Sequence, residues 1–267
     1  MTKKFQFYIV PTPIGNIKDV TLRAIDVLKE VDLIACEDSR VTQKILNHYD
    51  IKTKTLSYHK YNERERVDLI LSQLQDGKRI ALVSDAGTPL ICDPGSILLK
   101  ELRKNNITVT SLAGPCAVST FLSQIPRETE EYTFIGFLPK TDKQIHDIYK
   151  KYKYSNMVFY DSPNRIVNSL KVIREISSNI TVAVGRELTK LFEEVVINDI
   201  DKIIEHFSSE VKGEIVAMTF AVQYDEITVI KDKIDILKSK GFKSKEIAEI
   251  LSSLYNLGKN EIKNLLY

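Results

Sequence analysis

The sequence predicts two α/β domains, the first with a parallel sheet and the second with a mixed sheet, followed by a small C-terminal helical domain. Three observations predict this fold class. Strand and helix patterns alternate through the first half of the 267-residue chain, as a doubly wound parallel sheet requires. In the second half, strand patterns follow one another without an intervening helix, which indicates partly antiparallel pairing. Beyond residue 223, only helical periodicity remains.

The first domain is predicted at residues 1–126. RIALVS at 79–84 is continuously apolar, which is typical of a strand covered on both of its faces. Thr21 is placed to cap a helix that runs to about residue 30, and Gly77 ends another helix over 64–75. The remaining predicted elements are strands at 5–10, 31–36 and 107–112, and helices at 41–49, 96–105 and 116–125.

The apolar pattern lapses at 126–132, where we place the boundary to a second domain at residues 127–226. Its predicted strands are 133–137, 156–160, 181–185, 192–197 and 213–222, and its predicted helices lie near 142–153, 164–177 and 199–206. The tail, residues 227–267, shows three short helical patterns with Gly241 and Gly258 at the breaks. It holds 8 Lys against 5 Asp and Glu, and from charge alone a solvated helical surface explains this as well as a binding surface does.

Composition excludes several classes of protein. A hydrophobic content of 43% argues against disorder, and no apolar run approaches the roughly 18 residues that span a bilayer. The N-terminal segment does not resemble a signal peptide. Three cysteines at unpaired spacings make a disulfide framework unlikely to explain the fold, so the cytoplasm is the expected compartment. A net charge of +2 gives no strong whole-chain signature of nucleic-acid binding.

Four unusual loops follow predicted strands of the first domain. They are PTPIGN (11–16), EDSR (37–40), DAGTP (85–89) and AGPCA (113–117). Because ligands bind beyond the carboxyl ends of strands in open α/β sheets, these loops predict a binding site at one edge. Each loop taken alone has an ordinary alternative: Gly15 suits a turn, Asp85 an Asx-turn, and EDSR a helix start with a surface ion pair.

Other motifs point away from common enzyme classes. The chain contains no GxxxxGK[ST], so it is not a P-loop enzyme, and PTPIGN does not match the GxGxxG pattern of dinucleotide sites. The four histidines are scattered without CxxC or HExxH, so no metal site is expected. Asp93 is predicted to cap the helix that begins near Pro94.

Several motifs in order resemble one known family. Residues 12–40, LVSDAGTPLICDPG (82–95) and AGPCA resemble the tetrapyrrole methylase superfamily, and within it the bacterial ribosomal RNA small subunit methyltransferase I family. The resemblance continues through SYHKYNE (57–63), GFLP (136–139), FYDSPNR (159–165), GRELTKLFEEV (185–195) and KGE (212–214), and covers roughly residues 5–222. It implies S-adenosylmethionine (SAM) bound between two α/β domains, and methylation of the ribose 2′-oxygen of a decoding-centre cytidine in 16S rRNA of the small ribosomal subunit.

The resemblance also implies which residues form the site. Gly87 and Gly114 let the main chain approach the cofactor closely, and Pro89 and Pro115 stiffen their loops. The full set expected to bind SAM is Pro13, Ile14, Gly15, Asp85, Gly87, Thr88, Pro89, Gly114, Pro115, Cys116, Ala117 and Tyr160. No metal is expected.

Methyl transfer to a ribose hydroxyl requires alignment of oxygen, methyl and sulfur, and a base can take the proton. The expected catalytic residues are Asp38, Glu37, Arg40 and Glu187, with Asp38 the first candidate for a base. An ion pair that only holds the domains together is the alternative for these groups. The expected RNA contacts are His59, Arg165, Arg186, Lys190, Lys243 and Lys245. The lysine-rich tail is expected to help bind the small ribosomal subunit.

Two rival functions remain open at this stage. One is another methyltransferase of the superfamily, acting on a tetrapyrrole or a diphthamide precursor. The other is a SAM-binding or RNA-binding module without catalysis. Members of the superfamily tend to pair, so a homodimer is expected by analogy.

Overall fold

A computed structural model describes residues 5–209, 212–223, 226–255 and 257–266. The first sheet contains five parallel strands in the order β3-β2-β4-β1-β5. They are β1 (Phe7–Ile9), β2 (Leu33–Cys36), β3 (Thr55–Ser57), β4 (Ile80–Val83) and β5 (Val109–Ser111). The helices between them are α1 (Leu22–Glu30), α2 (Ser39–His48), α3 (Glu63–Gln75), α4 (Ser96–Lys104) and α5 (Ala117–Leu122). A 3-10 turn at Ile17–Asp19 precedes α1. The predicted doubly wound parallel sheet is confirmed.

The central strand β4 is buried along its whole length, as its continuous apolar run predicts. Its side chains alternate between two apolar clusters, because successive residues of a strand point to opposite faces. Ile80 and Leu82 pack with Leu98 on one face, and Ala81 and Val83 pack in the cluster on the other face.

The sequence prediction missed the edge strand β3. Its three residues, Thr-Leu-Ser, are too short and too polar to stand out as a strand pattern. Pairing with β2 creates this strand, through Ile34 opposite Thr55 and Cys36 opposite Ser57.

The structure also tests the two helix caps that the sequence predicts. The Thr21 hydroxyl caps α1 as predicted, by accepting from the Ala24 N–H at 3.1 Å. The prediction for Asp93 is wrong, because Gly95 occupies the N-cap of α4 and no side chain caps that helix.

The second sheet is mixed, in the order β6-β7-β10-β8-β9, with β6 and β7 parallel and the other pairs antiparallel. Its strands are β6 (Thr133–Phe137), β7 (Met157–Asp161), β8 (Thr181–Arg186), β9 (Glu194–Asp199) and β10 (Ile215–Thr219). Helices α6 (Asp142–Tyr152), α7 (Ile166–Ile176) and α8 (Ile200–His206) pack on one face. The opposite face packs against α5 of the first sheet through a shared cluster that includes Phe121, Val158 and Val216.

Three helices form the tail: α9 (Glu226–Ser239), α10 (Ser244–Tyr255) and α11 (Lys259–Leu265). They enclose an apolar cluster of their own, built around Ile230, Ile247 and Ile262. The Lys153 ammonium of α6 joins the tail to the second sheet through the Asp232 carboxylate at 2.7 Å. The domain limits at residues 126 and 226 stay predictions.

Candidate functional site

The four loops that the sequence singles out meet at the carboxyl edge of the first sheet. Thr12 and Gly87 exchange two backbone hydrogen bonds of 2.9 Å, which ties the loop after β1 to the loop after β4. The Thr88 hydroxyl donates to the Pro115 carbonyl at 2.9 Å and so adds the loop after β5. This convergence follows from parallel pairing, because all carboxyl ends then lie at one edge.

The loop after β2 joins the same group through acidic residues. The Asp38 N–H donates to the Asp85 carboxylate at 3.0 Å.

Two glycines permit the close packing of these loops against one another. Gly87 has φ +78°, a conformation that favours glycine. At Gly114 a Cβ would lie 2.7 Å from the Pro11 Cβ, so any side chain would force the first and fourth loops apart.

A cavity of about 420 Å³ lies between these loops and the second sheet. This volume is in the range of small-molecule sites, roughly 300–1,000 Å³. Of the residues expected to bind a cofactor, seven line it: Ile14, Asp85, Gly87, Thr88, Cys116, Ala117 and Tyr160. The structure places Pro13, Gly15, Pro89, Gly114 and Pro115 outside the lining, where they shape the loops instead.

The second sheet supplies lining residues that the sequence analysis did not name individually. They are Phe137, Asp161 at the end of β7, the following loop residues Ser162 and Pro163, and a stretch from Gly213 to Val216. The sequence motifs GFLP, FYDSPNR and KGE, which contain most of these residues, could have identified them as part of the site. Asp161 organises its loop: it is only 3% exposed and accepts hydrogen bonds from the Ser162 N–H at 2.8 Å and the Ser169 hydroxyl at 2.6 Å.

The cavity lining is acidic. Its described residues include four carboxylates, Asp85, Asp93, Asp161 and Glu214, and no Lys, Arg or His; outside the lining, Arg165 pairs with Asp161 and Lys190 with Glu214. Burial raises the pKa of Asp93, and the nearby Asp85 charge raises it further against a hydrogen bond from Ser84. Burial also raises the pKa of Glu37, which lies close by in a narrow cleft with Pro89, and Asp85 and Asp93 add to that shift. Carboxylates that repel one another in this way favour a cationic ligand.

Asp38 and Arg40 lie outside the cavity and pair with each other. The Asp38 carboxylate is the N-cap of α2, where it accepts from the Arg40 N–H at 2.8 Å, and the Arg40 guanidinium contacts it at 2.6 Å. Hydrogen bonds from the Arg40 side chain and backbone lower the pKa of Asp38 to about 2. Asp38 as the base stays a prediction, but these contacts oppose it because so weak a base takes a proton poorly near neutral pH.

Glu187 forms a compact network at the wall of the cavity. Its carboxylate accepts from the Lys190 ammonium at 2.8 Å and from the Glu214 N–H at 2.9 Å, while the Glu214 carboxylate lies 2.9 Å from the same ammonium. Burial alone would raise the pKa of Glu187, but the bonds from Lys190 and Glu214 outweigh it and lower the pKa. The Glu187 and Lys190 side chains are only 19% and 28% exposed.

The segment 187–193, which we name the β8–β9 loop, bridges the two sheets. Glu187 and Thr189 adopt positive φ values of 51° and 65°, a conformation that costs about 1–3 kcal/mol for non-glycine residues. The Thr189 hydroxyl accepts from the Asn16 N–H at 3.0 Å. A Cβ at Gly15 would lie 2.5 Å from the Lys190 Cγ. The loop after β1 therefore fits directly onto the β8–β9 loop.

The other residues expected to contact RNA lie in three different settings. Arg165 and Arg186 are engaged internally: Arg165 lies 3.5 Å from Asp161 and donates to the Pro139 carbonyl, and Arg186 pairs with Glu194. His59 is half-buried near Glu37. Lys243 and Lys245 are exposed at the start of α10, away from the cavity lining.

Among the residues that the structure describes, no group of three or more His, Cys, Asp and Glu is placed to hold a metal ion. Within the same residues, no helix is both long and apolar enough to cross a membrane.

Comparison with known proteins agrees with this fold. The family described as Tetrapyrrole (Corrin/Porphyrin) Methylases matches residues 6–204. Uroporphyrin-III C-methyl transferase from Thermus thermophilus, solved in complex with S-adenyl homocysteine, has the same fold: the TM-score is 0.57 at 14% identity, over 80% of this chain and 96% of that one. The chain thus has the fold of a methylase of this superfamily.

Sequence relatives identify the family within this superfamily. The chain is 44% identical over 217 residues to ribosomal RNA small subunit methyltransferase I of Hydrogenobaculum sp. (strain Y04AAS1), covering 79% of this chain and 94% of that one. It is 39% identical over 256 residues to the Rickettsia prowazekii (strain Madrid E) protein of the same name, covering 94% and 91%. The chain belongs to the ribosomal RNA small subunit methyltransferase I family, within the tetrapyrrole methylases.

Proposed function

We propose that this protein transfers a methyl group from SAM to the ribose 2′-oxygen of a cytidine in the decoding centre of 16S rRNA. The observation that carries the proposal is the acidic cavity enclosed by the four interlocked loops, in a chain that belongs to a family of rRNA methyltransferases. The small ribosomal subunit is the proposed partner, and the cytoplasm is the proposed compartment.

The residues of the cavity suit SAM in shape and charge. SAM carries a sulfonium and an ammonium against a single carboxylate, so its net charge is positive. The lining provides the Asp85 and Asp93 carboxylates, neither of which forms an ion pair within the described residues, whereas Asp161 is paired with Arg165. Apolar walls from Ile14, Leu188 and Val216 suit the adenine ring and the aliphatic part of the methionine. When bound, SAM supplies an activated methyl group for an in-line displacement.

The protein's own contribution is chiefly alignment and water exclusion. A ribose hydroxyl is a weak nucleophile, and holding it in line with the methyl carbon provides much of the rate. Interlocked loops with buried hydrogen bonds keep that geometry with little reorganisation, as the 2.9 Å bonds between Thr12 and Gly87 illustrate. Glu37 is the predicted base whose raised pKa and place beside the cavity best match proton transfer near neutral pH.

The predicted roles of Glu187, Arg186 and Lys190 change under this proposal. All three are engaged in internal ion pairs, so we assign them to holding the β8–β9 loop and its strands against the first sheet. Exposed cations on the tail, including Lys243 and Lys245, are proposed to contact rRNA phosphates. Homodimer formation is proposed by analogy with the superfamily, and sedimentation equilibrium tests it directly.

A label-transfer experiment tests the function. Purified protein is incubated with methyl-labelled SAM and small subunits that lack the modification, and the rRNA is then digested. We expect label in 2′-O-methylcytidine, at a linkage that resists alkali because the attacking hydroxyl is blocked. Label on a base would refute the ribose assignment. If no label is transferred but SAM still binds, the rRNA proposal fails and small-molecule acceptors are tested next.

A further inference from the structure

The Tyr61 side chain is unusually exposed for an aromatic residue. It is 93% exposed, more than the other large exposed apolar or aromatic side chains of the described chain. Aromatic rings on protein surfaces normally lie against neighbouring atoms, because exposing them to water is unfavourable. The Tyr61 ring meets the His59 ring edge-on, with 6.0 Å between the ring centroids, and the rest of it is open to contact from outside the chain.

Hydrogen bonds fix the turn that displays this ring, residues 58–63, which we name the Tyr61 turn. The Asn62 carboxamide oxygen accepts from the His59 N–H at 2.8 Å, and the carboxamide nitrogen donates to the Ser57 carbonyl at 3.1 Å. The Asn62 N–H donates to the His59 carbonyl at 3.0 Å. Three bonds across six residues leave the turn little freedom, so binding through it would cost little ordering entropy.

A buried carboxylate connects the Tyr61 turn to the cavity loops. Glu63 is 9% exposed and accepts from the buried Tyr58 hydroxyl at 2.7 Å and from the Gly95 N–H at 3.0 Å. Gly95 ends the same segment whose residues Asp85 and Asp93 line the cavity. The Tyr61 turn is therefore fixed relative to the loop that contributes Asp85 and Asp93 to the cavity.

Charge beside the ring suits a polyanion. Lys60 and Arg64 flank Tyr61 and are exposed, and within the described ranges neither makes an ion pair with a carboxylate. The Glu63 carboxylate is buried under the turn, while Glu65 is exposed on α3. An exposed aromatic ring between free cations is the arrangement that single-stranded nucleic acids bind, with bases on the ring and phosphates on the cations.

We propose that the Tyr61 turn binds an unpaired nucleotide of the RNA substrate next to the methylated ribose, with the Tyr61 ring stacked on its base. This inference rests on the proposed function and adds a surface that binds the RNA next to the methylated nucleotide. Lys60 and Arg64 neutralise the adjacent phosphates. Stacking explains why a hydrogen-bonded turn exposes an aromatic ring to water.

Substitution at the ring tests the proposal. Tyr61→Ala is expected to weaken binding of unmodified small subunits about tenfold, since base stacking on an aromatic ring is lost. Tyr61→Phe keeps the ring and is expected to bind like the wild type. Tyr132→Ala is the matched control, because Tyr132 is 48% exposed in the segment between the two sheets and has no proposed role. Binding is measured by co-sedimentation with subunits, and S-adenosylhomocysteine affinity by calorimetry.

The outcomes separate this inference from the proposed function. Weaker subunit binding by Tyr61→Ala alone, with unchanged S-adenosylhomocysteine affinity and thermal unfolding, supports the Tyr61 turn. Equal binding by wild type and Tyr61→Ala overturns it, and so does an equal loss in Tyr61→Phe, because the hydroxyl would then be responsible. If the wild type binds subunits but methylates none of them, the proposed function fails while the binding comparison still decides the role of Tyr61.

A second readout uses salt. Replacing both cations, in Lys60→Ala/Arg64→Ala, is expected to make subunit binding less dependent on salt, with the log–log slope reduced by up to about two. An unchanged slope would contradict the assignment of these cations to phosphates.

Discussion

Lys190 holds two carboxylates at the junction between the sheets, so removing its charge tests how the cavity is assembled. In Lys190→Met, the aliphatic stem that packs near Gly15 is kept while the ammonium is lost. Glu187 and Glu214 then face each other without the cation that lies 2.8 and 2.9 Å from them. Among the described residues, the Glu187 carboxylate then keeps the Glu214 N–H as its hydrogen-bond donor.

The expected loss of unfolding free energy lies between two limits. Exposed ion pairs contribute about 0–1 kcal/mol, whereas removing one partner of a buried pair costs about 3–5 kcal/mol. With 19% and 28% of the Glu187 and Lys190 side chains exposed, the pair is intermediate, and we expect about 2 kcal/mol. The β8–β9 loop adds to the effect, because the Lys190 ammonium binds Glu187, which has a positive φ.

Urea denaturation of wild type, Lys190→Met, Glu187→Gln and the double variant forms the assay. The two single losses are expected to be non-additive by about 1 kcal/mol or more, because the residues are in contact. Affinity for S-adenosylhomocysteine should fall as well, since the loop that shifts carries Leu188 of the cavity lining. Lys259→Met, which breaks an exposed pair with Glu249 on the tail, is the matched control and should leave both measurements near wild type.

The pH dependence gives the sharpest refutation. Because the folded protein lowers the pKa of Glu187 below its ordinary value of 4.5, the stabilisation is complete above that pH and is lost as pH falls through the lowered value. The difference between wild type and Lys190→Met should therefore be full at pH 7 and shrink in acid. Additive losses with an unchanged ligand affinity, or a difference that grows in acid, would refute the reasoning.

Three further predictions concern the first sheet. Asp38→Asn keeps an oxygen to cap α2 but cannot take a proton, so we expect it to retain methyl transfer; a loss of activity with normal SAM binding would instead establish Asp38 as the base. Asp93→Asn removes a carboxylate whose pKa burial and Asp85 raise, so the unfolding free energy should rise at pH 7, and the gain should fade as pH falls below the folded pKa; guanidinium titrations at pH 7 and pH 4 check this, and no gain at pH 7 would contradict it. Gly114→Ala places a Cβ 2.7 Å from Pro11, so we expect about 1–3 kcal/mol of destabilisation and weaker S-adenosylhomocysteine binding, and unchanged affinity by calorimetry would be the contrary result.

Much of the fold follows from local patterns along the chain. The continuous apolar run at 79–84 predicts the buried central strand, and the Thr21 hydroxyl predicts the start of α1; both are confirmed. The edge strand β3 and the N-cap of α4 were not predicted correctly. Three polar-flanked residues become a strand only by pairing with β2, and Gly95 takes the cap because the Glu63 carboxylate binds its N–H from a distant part of the sequence.

The sequence by itself determined the family, the parallel first sheet and the four loops that surround the cavity. Those features are encoded within short segments, since strand propensity, turn residues and motif spacing act over neighbouring positions. Only the tertiary structure decided which charged residues face the cavity and which are used in ion pairs. Arg186, which pairs with Glu194, and Lys190, which pairs with Glu214, had the same appearance in sequence as groups free to bind RNA. Their pairing depends on distances across loops and sheets, and the free energy of burying a charge depends on those partners rather than on its neighbours in the chain.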